Sequence, residues 1–166
     1  NAIAAAGKVK KSEVANEAMI REANFTEGKS YFQLNNYAKA MEGLKKVATD
    51  VKYEQGAEAK YLIAEIYYHQ KELKKSEDEI TDFISKNTPY QYWLGKSFLL
   101  MSDIYLSQND QFQAKHTLKS LYENYNDDND GIKAEAAKKL LVIENEEKSE
   151  QQKAIDSSFQ IKIKEQ

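Results

Sequence analysis

The chain has 166 residues, of which 41% are hydrophobic and 31% charged, with a formal net charge of -3, no cysteine, one proline and six glycines. That size fits one compact unit or roughly four to five stacked helical hairpins, and the apolar fraction excludes a wholly disordered chain. The acidic balance leaves no clustered Lys and Arg field for a phosphate backbone, the missing cysteines exclude disulfides and thiolate chemistry, and the scarcity of turn residues excludes an all-β chain.

Ala2 to Ala6 reads as the end of a helix stopped at Gly7, with a loop to Lys11. Ser12 is the expected N-cap of a long helix reaching Leu34, closed by Asn35 and Asn36, asparagine being tolerant of the left-handed region. A return helix follows from Tyr37 to about Asp50, with Ala40, Leu44, Val47 and Val51 at helical spacing. The second hairpin uses Gly56 to Gln70 and Leu73 to Lys86, and ends before Pro89 because the residue preceding a proline avoids the helical region. The third runs from Tyr90 to about Gln108, turns at Asn109 and Asp110, and returns from Gln111 to Tyr125.

Asn126 to Gly131 is an acidic loop, and Lys133 to about Gln152 is a helix rich in Ala, Leu, Lys and Glu that caps the stack. Residues 158–166 are expected to be a flexible tail: Phe159, Ile161 and Ile163 alternate with polar residues in a strand period too brief to specify a strand. The resulting organisation is residues 1–11 as a helix end and loop, 12–125 as three hairpins, 126–157 as loop and cap, and then the tail.

The hairpins share one pattern. Aligned on Tyr31, Tyr67 and Tyr105, a small residue lies three positions before (Gly28, Ala64, Ser102) and another nine after (Ala40, Ser76, Ala114). Four further on come Leu44, Ile80 and Leu118, then Val47, Phe83 and Leu121 three beyond those. A repeat of this length with fixed small and large positions marks stacked hairpins that complete one another's cores.

On these residues the chain resembles tetratricopeptide repeat (TPR) proteins over about residues 20–125. The resemblance implies an all-α fold: a right-handed superhelix of antiparallel helix pairs, a TPR-like α-α solenoid, with a C-terminal capping helix. It also implies that the small residues permit tight helix approach. The match is incomplete. Asn24 and Glu27 stand where the family often opens its repeat with Trp and Leu, and Trp93-Leu94-Gly95 fits that opening only in a register that places Ser107 and Gln111 wrongly. The segments 56–73 and 92–110 resemble the TPR parts of bacterial periplasmic and outer-membrane-associated proteins, which implies an extracytoplasmic setting and a C-terminal piece of a longer array.

No catalytic or metal constellation is expected. His69 and His116 lie far apart in sequence without a second ligand at metal spacing. Asn126 to Gly131 begins like a calcium loop, yet the position for its bidentate glutamate holds Ala137, so a polar turn capping the last helix is the better account. Carboxylate pairs such as Glu77 and Glu79 sit on densely charged helices, where nothing desolvates an acid for proton transfer. No cofactor and no small-molecule substrate are expected, and no apolar run approaches the roughly 20 residues of a membrane span.

The family's geometry places side chains at set distances from the anchor tyrosines on a concave surface. By that resemblance Glu22, Phe25, Lys29 and Phe32 line the first segment. Glu58, Tyr61, Glu65, Tyr68 and His69 line the second, and Lys96, Leu99, Asp103 and Leu106 the third. The expected function is a non-catalytic scaffold that binds a peptide or protein segment, the alternative being a structural cap of a longer array. The Lys and Asn carboxylate clamp of the family's chaperone adaptors has no counterpart, since its places carry Phe25 with Lys29 and Tyr61 with Glu65. A basic and aromatic partner suits Glu22, Glu58, Glu65 and Asp103 better.

Overall fold

The computed structural model describes the backbone of residues 2–164 and the side chains of residues 2–156. Eight helices follow one another among them: α1 (Ala2–Lys10), α2 (Glu17–Gln33), α3 (Tyr37–Val47), α4 (Glu54–His69), α5 (Leu73–Ser85), α6 (Gln91–Ser107), α7 (Gln111–Asn124) and α8 (Ile132–Lys164). Helices α2/α3, α4/α5 and α6/α7 form hairpins, and α2, α4, α6 and α8 lie side by side, each touching the next.

The turn inside each hairpin is built the same way. Asn35, Lys71 and Asn109 take positive φ of 56, 63 and 60°. The next residue's N–H reaches back to the anchor tyrosine, from Asn36 to Tyr31 O at 2.9 Å, Glu72 to Tyr67 O at 2.9 Å and Asp110 to Tyr105 O at 2.8 Å. This is the Schellman closure, which satisfies carbonyls that a helix end leaves without partners. The same three residues open the return helices. Asn36 Oδ1 accepts from the Lys39 N–H at 3.3 Å and Asp110 Oδ1 from the Gln113 N–H at 3.0 Å, whereas the Glu72 side chain makes no cap bond.

The small positions all sit where paired helices meet. Ala40, Ser76, Ser102 and Ala114 are wholly buried, Ala64 almost so, and Gly28 is buried too. A Cβ on Gly28 would stand 2.9 Å from the Leu44 backbone nitrogen, and one on Gly43 would stand 2.6 Å from the Asn24 carbonyl oxygen. In the second hairpin the Ser76 hydroxyl donates to the Ala64 carbonyl at 2.7 Å, tying the two small positions together. Around them Leu44, Ile80, Leu118 and Phe83 are shut away from water. Between hairpins, the buried Thr88 hydroxyl donates to Val51 O at 2.7 Å and pins consecutive interhairpin joints to each other.

Several boundaries differ from those expected. Helix α1 does not stop at Gly7 but runs to Lys10, because a lone glycine only weakens a helix and the packing of Ala6 against α2 holds it. Helix α2 begins at Glu17, capped by Asn16 Oδ1 accepting from the Met19 N–H at 2.9 Å, and not at Ser12, which lies in a turn. Both residue types cap well, so the choice falls to packing. Helix α8 continues past Gln152 through the alternating segment to Lys164, there being no glycine or proline to end it. The final residues of the expected tail, 165–166, and Asn1 lie outside the described residues.

Lys71→Gly should raise stability by about 0.5 to 1 kcal/mol by relieving an L-residue in the left-handed region, read as a higher urea midpoint at unchanged slope. Gly43→Ala should lower it by about 1 to 3 kcal/mol, since the added methyl meets backbone; the same titration measures it.

Candidate protein-interaction site

The three first helices, α2, α4 and α6, present equivalent side chains on one face, and the structure separates them into two rows. Phe25, Tyr61 and Leu99, each six residues before its anchor tyrosine, are buried at 8%, 8% and 3% exposure. Phe32, Tyr68 and Leu106, each one residue after it, are half-buried and keep surface in water. The first row is therefore structural packing between hairpins, and the second is the accessible apolar row.

Charges on this face are consumed largely by neighbouring helices. Lys29 Nζ lies 2.6 Å from Glu58 Oε1, and the glutamate is buried. Lys139 of α8 bridges Asp103 of α6 at 2.5 Å, and Gln55 Nε2 donates to Glu22 Oε2 at 2.9 Å. Lys96 Nζ stands 5.7 Å from the Tyr61 ring centroid, while Trp93 packs on that ring at 5.7 Å. Burial, reinforced by nearby Glu65, pushes the Tyr61 phenol well above its ordinary range, so it stays a neutral packing group. His69 stacks on Tyr37 with ring centroids 5.8 Å apart, and the Tyr68 hydroxyl lies 3.4 Å from Ser107 Oγ.

Helix α8 extends the face beyond the residues expected from sequence. Leu106 shares an open cavity of about 340 Å³ with Glu135, Lys138, Val142, Ile143 and Glu146. The missed signal is spacing: α8 follows α6 as α6 follows α4, so its first turns occupy a fourth place in the row.

Among the described residues no group of three or more His, Asp or Glu side chains converges as a metal site, and no helix is long and apolar enough to cross a membrane. The loop after α7 instead serves helix α8. Asp130 Oδ1 accepts from the Ile132 N–H at 3.0 Å, and Asp130 also accepts a hydrogen bond from the Tyr125 hydroxyl.

The chain is similar to MamA, a TPR-containing protein of known crystal structure, with a TM-score of 0.55 and 22% identity over 90% of this chain and 89% of that one. The fold is a TPR-like helical solenoid. No family model and no curated protein matches the chain. In this TPR-like stack the residues of the sequence pattern have two duties: Gly28, Ala40, Ala64, Ser76, Ser102 and Ala114 space the helices, while Tyr31, Tyr67 and Tyr105 are half-buried and lend their carbonyls to the turns.

Away from this face the second hairpin holds an ion cluster. The Lys60 side chain is only 8% exposed and its ammonium meets Glu79 Oε1 at 2.7 Å and the Asp82 carboxylate. Burial alone would lower the Lys60 pKa, but the hydrogen bonds to Asp82 and Glu79 outweigh it and raise it, and Lys60 holds the Asp82 carboxyl below its usual range. The Asp82 contribution is therefore present above the ordinary carboxylate pKa and lost as pH falls through the lowered one. The Lys60 contribution is full below the ordinary lysine value and lost as pH rises through the raised one. Lys60→Met should cost about 1 to 2 kcal/mol at neutral pH, less than a fully buried pair because Asp82 remains hydrated. In urea titrations the variant should also lose less stability than wild type on acidification to about pH 3.

Proposed function

We propose that this chain is a non-catalytic scaffold that binds a peptide or protein segment along the face of α2, α4, α6 and the start of α8. The observation that carries the reading is the row of Phe32, Tyr68 and Leu106, repeated at one place in successive hairpins and left partly in water while the row beside it is sealed. Packed helices stand roughly 8 to 10 Å apart, so the row offers apolar footholds at a spacing that an extended or helical segment can meet with alternate side chains. Rigid rings supply contact area at small entropic cost. Glu65, three residues before Tyr68 on α4, lies beside the row and favours a partner with basic character. TPR-like folds serving as interaction scaffolds support this role.

A second role, as the end of a longer stack with binding sites upstream, is favoured by an open apolar groove of about 630 Å³ between α1 and α2, bordered by Ala2, Ala5, Val9, Ala18 and Met19. The proposed setting is the bacterial envelope, supported by the likeness of segments 56–73 and 92–110 to TPR parts of proteins there.

Immobilised wild-type chain and a Tyr68→Ala/Leu106→Ser double variant, matched by far-UV circular dichroism, should differ in partner recovery by at least about tenfold, the scale of losing central contacts. Equal recovery would transfer the function to the second role.

A further inference from the structure

Each hairpin has a second crevice between its two helices, on a side that the face above does not use. It is framed by the residue seven before the anchor tyrosine and those twelve and fifteen after it. In the second hairpin these are Lys60, Glu79 and Asp82, and the lysine fills the space with its own stem and ties its ammonium to both carboxylates. In the first they are Asn24, Gly43 and Lys46; a cavity of about 520 Å³ stays open there, and Arg21 and Lys46 put cations on its walls.

The third hairpin has neither a lysine plug nor a lysine or arginine in the walls of its crevice. Its residues are Phe98, Thr117 and Ser120, short side chains opposite a ring, and a cavity of about 440 Å³ remains open between α6 and α7. Leu94, Gly95, Phe98, Leu121 and Tyr125 make its walls, with His116 at the edge. The walls are fixed. A Cβ on Gly95 would stand 3.0 Å from the Tyr125 ring and 2.9 Å from Ile132, so that ring lies flush against α6, and its hydroxyl is held by Asp130.

Gln91, Asn124 and Tyr125 also line a second cavity of about 550 Å³, bounded by Asp127 and Asp128 of the loop. Of these carboxylates Asp128 is bridged by Lys133 at 2.7 Å, while Asp127 accepts only the Asn129 N–H at 2.8 Å. An apolar hollow thus adjoins a lip with negative charge in excess of the one cation facing it. The second hairpin shows what such a crevice accommodates, a long aliphatic stem with a cationic tip.

We propose that the α6/α7 crevice is a second docking site, for a peptide segment in which a large apolar side chain is followed by lysine or arginine. The apolar side chain enters between Leu94, Phe98 and Leu121, displacing water from carbon surface, and the cation lies on Asp127. This site is independent of the α2/α4/α6 row, so one surface can fail without the other.

The test uses an array of Gly/Ser-flanked peptides that pairs each of Leu, Ile, Met, Phe and Ser with a following Lys, Arg, Gln or Glu, probed with the full chain. Phe or Leu before Lys or Arg should be retained best. Ser120→Trp, at an exposed position on α7, fills the crevice and should weaken retention by at least about tenfold with an unchanged helical spectrum. Asp127→Asn keeps the turn acceptor and should weaken the Lys and Arg peptides severalfold while leaving the Gln peptides unchanged, and Tyr68→Ala should change nothing. The proposal is overturned if no peptide is retained or if Ser120→Trp retains them equally. It is also overturned if light scattering shows a dimer that Ser120→Trp dissolves, which would make a second copy the occupant.

Discussion

Contact between helices at residues with almost no side chain is the constraint on which the stack depends. At Gly28 and Gly43 two backbones approach until a single methyl group would collide with main-chain atoms. In the second hairpin the same role falls to Ala64 and Ser76, and the serine hydroxyl turns proximity into a hydrogen bond that the buried site requires. Large residues such as Leu44, Ile80 and Leu118 can be enclosed only because the small ones bring their helices together. Tight spacing and a sealed core are therefore one property, repeated three times.

That property determines which side chains stay in contact with water. Once first helices lie side by side, the residues between them are claimed by packing, as Phe25, Tyr61 and Leu99 are, and facing charges neutralise one another, as Lys29 does with Glu58. What remains in water is a thin row and the spaces that the hairpins fail to close. Differences among repeats then carry the individuality of the protein: a lysine plugs one outer crevice, cations line another, and the third stays open with largely apolar walls.

The hairpins, their turns and their small positions were legible in the sequence because each obeys a local rule: helical period, left-handed tolerance of asparagine, and low volume at fixed offsets. Lys71 shows the limit of such rules, since it takes the same left-handed conformation as Asn35 and Asn109 without a side chain that favours it. Exposure on the shared face of the first helices was less legible. Offsets from the tyrosines identify the helix face but not how far the next hairpin covers it, so the buried Tyr61 and half-exposed Tyr68 carry the same sequence signal. Helix ends failed where two acceptable caps competed, as Ser12 and Asn16 did. Where no stop signal existed, as in α8, the boundary was set by packing and continuity alone.

The bond from Thr88 to Val51 spans 37 residues and seats beside the buried Val51, Ala57 and Phe83. It gathers the two roots of the middle hairpin into a clasp. The stretch between them, which carries α4 and α5, is thereby closed at its base, so the middle hairpin is held at both ends by one hydrogen bond and the apolar contacts around it.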